Sequence, residues 1–283
     1  MPAHRVCYLV SHPIQYQAPL LRRIADDPDI ELTVLFENLA TTHGYHDDGF
    51  GRDVTWDVPL TQGYRHREIA GVEDIRRQLS ESDVLWLHGW DSKLKRRGLL
   101  LARELGVPVL MRGENTMVAM PDGGGLRGMV KRHYLRTIFK HCAGFLCIGT
   151  DNHRYFEAHG IEEARLFSMP YAVDNEFFAE RAAEASERRE DFRRELGLQT
   201  DRSVILFAGK LQRRKHAMTL LKAWRTLSEG STMAPYLLYV SDGEERAQLE
   251  AEAGDDDRIK VLGFRNQTEL PAFYDLADVF VLA

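Results

Sequence analysis

The chain has 283 residues, 28% of them charged, and a net charge of −6. That balance argues against general nucleic-acid binding, which asks for a basic domain. The length suits two domains, each able to bury a core, and three cysteines (Cys7, Cys142, Cys147) are too few and too odd for a disulfide framework. No signal peptide precedes the first strand and no apolar run approaches the ~18 residues of a membrane span, so a reducing cytoplasm is expected.

In chain order, apolar runs at 6–10, 32–36, 84–87, 107–111, 145–148 and 166–169 predict strands. Helix-like stretches at 14–26, 91–105, 127–142 and 150–159 separate them. The alternation predicts βαβ units and a mainly parallel sheet covered on both faces. The segment 42–53 is a Gly- and Asp-rich loop without periodicity, of a length that often carries function, and 54–58 reads as a hairpin strand. Residues 176–196 are charged and helix-forming. A second alternating unit follows, with strands at 204–208, 236–240, 259–262 and 279–282 and helices at 216–229, 244–253 and 268–276. The expected division is 1–174 and 175–283, with both domains α/β and Rossmann-like.

Ligands of doubly wound sheets lie beyond the carboxyl ends of the strands, so functional residues are sought there. After the first strand comes Ser11-His12-Pro13-Ile14-Gln15-Tyr16, in which His12 and Gln15 can bond sugar hydroxyls or phosphate; His12 as a turn or capping histidine is the other reading. After the run at 84–87 come His88 and Gly89. After Met111 come Arg112, Gly113, Glu114 and Asn115, a cation, a carboxylate and an amide in one short loop. Arg112 suits a phosphate or carboxylate and Glu114 suits a base or an acceptor-orienting role, unless the two form a structural pair. The stretch 125–142 has an apolar stripe opposite Arg127, Lys131, Arg136 and Lys140. It can bury that stripe on the sheet and also touch an anionic membrane.

The densest signal follows the run at 204–208. Gly209 allows a turn, and Lys210 and Lys215 then stand between a strand end and a helix start, where the helix dipole already favours an anion. A diphosphate fits such a place; a solvated basic loop with Arg213 and Arg214 is the alternative. No metal site is expected: Asp255-Asp256-Asp257 reads as a polar turn, and His133, His141, Cys142 and Cys147 have no usual ligand spacing.

Gly209-Lys210-Leu211 through Lys215, the segments 236–250 and 259–283, and the crossing at 149–178 together resemble the family 4 (group 1) glycosyltransferases. The resemblance implies a GT-B fold of two Rossmann-like domains, the first on the acceptor side and the second binding the donor. It implies a retaining, metal-independent enzyme that needs no cofactor beyond a nucleoside-diphosphate sugar as co-substrate. The sugar would pass to the hydroxyl of a glycan, lipid or small molecule, in the cytoplasm or, through 125–142, at the inner face of the membrane. By this resemblance Gly209, Lys210 and Lys215 bind the donor diphosphate and Gly263, Phe264 and Arg265 face the base. His12, Arg112 and Glu114 are the catalytic candidates, and Gln15, His88 and Asn115 serve acceptor or sugar. Relatives carry a histidine near Arg112 that this chain lacks, and a Gly-rich first loop where this chain has Ser11–Tyr16. They also continue past Leu282 into a segment with two donor-binding glutamates, so a partial second domain and impaired turnover are expected. A non-catalytic nucleotide-sugar-binding protein or an inactive gene fragment is the alternative, and a sugar-nucleotide epimerase of similar fold the third reading.

Overall fold

The computed structural model describes residues 2–121, 123 and 125–282. In chain order the elements are β1 (His4–Val10), α1 (Gln17–Ala25), β2 (Ile30–Phe36), β3 (Tyr45–Asp47), β4 (Arg52–Val54), β5 (Arg65–Glu68), α2 (Val72–Ser80), β6 (Val84–His88), α3 (Lys93–Leu105), β7 (Val109–Arg112), α4 (Gly125–Phe139), β8 (Gly144–Cys147), α5 (Thr150–Ala158) and β9 (Leu166–Ser168). There follow α6 (Asn175–Ser186), α7 (Arg189–Glu195), β10 (Val204–Ala208), α8 (Ala217–Ser228), β11 (Tyr236–Val240), α9 (Arg246–Ala253), β12 (Ile259–Val261), α10 (Leu270–Leu276) and β13 (Val279–Phe280).

The chain divides into two compact units, Met1–Thr42 with Pro59–Val173, and His43–Val58 with Asp174–Ala283. The first is built on a seven-stranded parallel sheet in the order β5-β2-β1-β6-β7-β8-β9. Alternate residues of β1 feed opposite cores: Cys7 and Leu9 face one cluster with Leu85, Leu99 and Phe145, while Tyr8 and Val10 face the other with Leu21, Val34 and Trp86. A strand buried on both faces has no polar side to show, which is why these strands read as continuous apolar runs. All three cysteines are free and buried, and burial pushes the Cys7 and Cys142 thiols up to about 12.

The second unit has a four-stranded parallel sheet in the order β12-β11-β10-β13. Phe207, Leu221, Trp224 and Tyr239 fill one face, and Val204, Leu206, Leu238 and Phe273 the other. Asp174 caps α6 by accepting from the Phe177 amide at 3.1 Å, the kind of contact that starts a helix after a linker. Val279, Phe280 and Leu282 stand about half exposed.

Three features depart from the sequence expectations. The hairpin strand expected at 54–58 is Arg52–Val54, paired antiparallel with Tyr45–Asp47, and this hairpin packs with the second unit although the sequence reading placed it in the first. The strand β5 and helix α2 were not expected. The helix expected to run to 142 ends at Phe139, and its stripe is split: Leu135, Ile138 and Phe139 are buried, whereas Leu126, Met129 and Val130 are exposed.

Candidate functional site

In the first unit, the loops after β1, β6, β7 and β9 supply the polar groups. Parallel pairing sets His88 directly beside Arg112 at the carboxyl ends of β6 and β7. Beneath them, Tyr8 is fully buried and stacks on Trp86 with ring centroids 3.9 Å apart. Its hydroxyl donates to Gln17 Oε1 at 3.1 Å and lies 2.7 Å from His88 Nδ1. Burial, then the Arg112 and Lys95 charges, hold the His88 imidazole down to about 4, so it is neutral at physiological pH. Lys95 is itself buried and donates to Asp91 at 2.9 Å.

Arg112 is 3% exposed, and its Nε and Nη1 have no hydrogen-bond partner among the described residues. Its guanidinium carbon lies 5.2 Å from the Tyr171 ring centroid, and Tyr171 meets Tyr16 edge-on at 5.5 Å. The Arg112–Glu114 pair weighed from sequence is not formed among the described residues. Burial first, and then the Glu114 carboxylate, push the Tyr171 phenol well above its ordinary value. A buried guanidinium with open donor sites is costly and therefore informative: an acceptor oxygen or anion placed against it would recover part of that cost.

The loop carrying Glu114 is held in place. The buried Asn152 donates to the Asn115 carbonyl at 2.8 Å and accepts from the Ile148 amide at 3.1 Å, tying the end of β7 to the end of β8. A Cβ on Gly113 would stand 2.6 Å from Asn115 Oδ1, so any side chain there would have to push the Asn115 amide aside. In the first loop, Ser11 Oγ lies 2.9 Å from His12 Nδ1, and Thr41 donates to the Pro13 carbonyl at 2.9 Å. Gln15 is half-buried in the turn that opens α1. Sequence reasoning missed Tyr8, Tyr171 and Asn152; position after or within a strand was the usable signal for the first two.

In the second unit, Gly209 and Lys210 follow β10, and a 3₁₀ turn over Arg213–Lys215 leads to His216, which has φ 55° at the start of α8. A left-handed non-glycine residue is a stored strain typical of functional loops. This loop is clamped by the one after β11: Leu211 N donates to the Asp242 carbonyl at 2.9 Å, Glu245 N to the Leu211 carbonyl at 2.9 Å, and Arg213 N to Glu244 at 3.1 Å. Gly243, with φ 152°, lies so close that a Cβ would stand 2.6 Å from the Leu211 oxygen.

Lys215 has no ion pair among the described residues, but Lys210 is engaged. Its Nζ donates to Asp47 Oδ1 at 2.6 Å and lies 4.4 Å from the Phe50 ring centroid, both contacts from the β3–β4 hairpin. Asp47 also accepts from Gly49 N at 2.9 Å, Phe50 N at 3.1 Å and the Tyr45 hydroxyl at 2.9 Å. Burial works to raise this carboxyl, yet the Lys210, Tyr45 and Phe50 bonds hold it below its ordinary value. Gly263 packs against Arg246, and Arg246 donates to Asp242 at 2.9 Å. Phe264 lies under the hairpin, 4.9 Å from Phe50 and 6.0 Å from Trp56, while Arg265 approaches Glu269 at 3.8 Å.

Asp256 of the Asp-rich turn pairs with Arg258 at 2.6 Å just before β12. His153, Glu157 and Glu163 gather on one face, with His153 Nε2 3.1 Å from Glu163 and Nδ1 3.5 Å from Glu157. No helix among the described residues is long and apolar enough to cross a membrane.

Residues 188–283 match the family model of the glycosyl transferases group 1. No protein of curated function matches the sequence directly. Among solved structures, a glycosyltransferase from Rickettsia africae superposes with TM-score 0.68 at 12% identity, over 100% of this chain and 73% of its own. HepE of Anabaena, solved with UDP, gives 0.67 at 13% identity over 98% of this chain and 73% of its own. The UDP-GlcNAc 2-epimerase of Methanocaldococcus jannaschii gives 0.54 at 11% identity over 98% and 77%. The likeness shows the GT-B type of fold, and the group 1 signature covers the second unit's β10–β13 region.

Proposed function

We propose that this chain, group 1 glycosyltransferase by its residues 188–283, moves a sugar from a nucleoside-diphosphate donor to an acceptor hydroxyl, with retention and without a metal. The observation that carries the reading is the loop after β10. Lys210 and Lys215 stand at a strand's carboxyl end in a loop whose backbone is pinned by its neighbour. Fixed cations aimed at a leaving diphosphate stabilise charge as it develops, often the largest catalytic contribution. HepE was solved with UDP-glucose as well as UDP, which supports a UDP-sugar as the first donor to try. Gly263, Phe264 and Arg265 would face the base. In the first unit, Arg112, Glu114 and His12 would act on acceptor and sugar, with Gln15, neutral His88 and Asn115 supplying hydrogen bonds.

Replacing Lys210 and Lys215 together by Ala should weaken UDP, GDP or ADP binding more than tenfold in calorimetry, since each charge-assisted contact is worth roughly 1.5–3 kcal/mol. EDTA should change nothing. Unchanged affinity would remove the diphosphate assignment, and an epimerase would convert the nucleotide sugar without any acceptor.

The acceptor side has a second feature. Exposed Met117, Val118, Leu126, Met129, Val130 and Tyr134 lie among Arg127, Lys131 and Arg132 on and just before α4. Apolar and basic groups together suit an anionic lipid surface, and we place the enzyme at the inner face of the membrane on that basis. Val118→Asp with Val130→Asp should abolish co-sedimentation with anionic vesicles; binding that persists would end this part of the reading.

A further inference from the structure

The β3–β4 hairpin meets the rest of the second unit at several places, one of them the approach of Arg52 to Asp242 at 3.7 Å. Asp47, 10% exposed at its side chain, takes Lys210 at 2.6 Å. Phe50 and Trp56 cover Phe264 on one side, and the Arg52 guanidinium carbon lies 5.2 Å from the same ring centroid. Farther along, Asn266 donates to the Thr55 carbonyl at 2.7 Å and Thr268 N donates to Asp57 at 3.1 Å. The contacts to Lys210 and Phe264 fall on residues assigned above to the donor's diphosphate and base. An acidic group sits on the cation, and aromatic rings sit on the aromatic ring.

We infer that the 43–58 hairpin is an internal plug of the donor site, with the Asp47 carboxylate standing on Lys210 in place of the diphosphate and Phe50 standing on Phe264 in place of the nucleoside. The inference rests on the donor-site reading above. The turn is built to present the charge: Gly49 N and Phe50 N fold onto Asp47 Oδ1, and a Cβ on Gly49 would fall 2.7 Å from the Lys210 side chain. The Asp47 carboxylate neutralises the ammonium and takes one of its three donors, so in this reading a diphosphate engages Lys210 at full strength only once the hairpin leaves. The apparent affinity is then reduced by the fraction of molecules that are unplugged.

Asp47→Asn separates the possibilities because the amide keeps an oxygen for the Gly49 and Phe50 N–H groups while losing the charge. Binding of pyrophosphate, UDP, GDP and ADP would be measured by calorimetry for the wild-type chain, Asp47→Asn, Asp57→Ala and the double variant Lys210→Ala with Lys215→Ala. Asp57→Ala loosens the hairpin's far anchor and leaves Lys210 and Phe264 untouched. The plug requires about tenfold tighter binding in Asp47→Asn, a charge-assisted bond's worth, and tightening in Asp57→Ala as well. Weaker binding in Asp47→Asn would make Asp47 a positioning group for Lys210 and overturn the plug, as would unchanged binding. If the double lysine variant binds as well as the wild-type chain, or no variant binds at all, the donor-site reading itself falls and takes the plug with it.

Discussion

The Tyr8 hydroxyl and His88 Nδ1 lie 2.7 Å apart, joining β1 to β6 below the first unit's site. Burial, Arg112 and Lys95 keep this imidazole at about 4, below the ordinary histidine value. As pH falls, the unfolded chain therefore binds the proton before the folded one does. The stability tied to a neutral His88 is complete above the free-histidine value near 6.5 and is lost progressively toward pH 4, by up to roughly 3 kcal/mol. Denaturant unfolding at pH 7 and pH 4.5 should show a larger loss for the wild-type chain than for His88→Gln, by about 2 kcal/mol. Equal losses would show that burial, Arg112 and Lys95 do not hold the ring neutral.

Arg112→Met should raise the thermal midpoint or leave it level, because a buried cation with unpartnered Nε and Nη1 costs more than a methionine of similar volume. The same variant should lose transfer activity at least a hundredfold. Glu114→Gln should keep the fold and lose kcat rather than KM, since Glu114 is exposed and forms no ion pair with Arg112. A parallel fall of stability and activity in both variants would make the pair structural supports and no more.

Much of this fold is legible in the amino-acid sequence itself. The inner strands of both sheets are apolar on two faces, so runs such as Val204–Ala208 announce themselves. The β5 strand, Arg-His-Arg-Glu, is an edge strand paired to β2 and mostly exposed, so nothing apolar marks it. Strand ends led directly to His88, Arg112 and Lys210. They could not lead to Asp47, which is 163 residues from Lys210 and lies in a segment with no periodicity. Its burial is created by the partner it meets. The split of α4 was equally hidden: the stripe is regular in sequence, and the sheet covers its second half.

Gly243→Ala should be among the most damaging single-atom additions in the second unit. The new Cβ would fall 2.6 Å from the Leu211 oxygen and 2.9 Å from its nitrogen, against backbone that cannot rotate away. A cost of about 1–3 kcal/mol is expected, with nucleotide binding lost even where the variant remains folded, because Leu211 adjoins Lys210. Normal nucleotide affinity in a folded Gly243→Ala protein would show that the two loops are not mechanically linked.

The covalent route of the hairpin sets a rule for recombination. Residues 43–58 are encoded inside the first unit yet pack with 174–283. A graft that exchanges 174–283 between related enzymes at one junction would strand Phe50 and Trp56 against a foreign surface and leave the transplanted Phe264 and Lys210 without their native cover. The second unit is therefore discontinuous in sequence, and a chimera that keeps its packing intact has to carry two segments together.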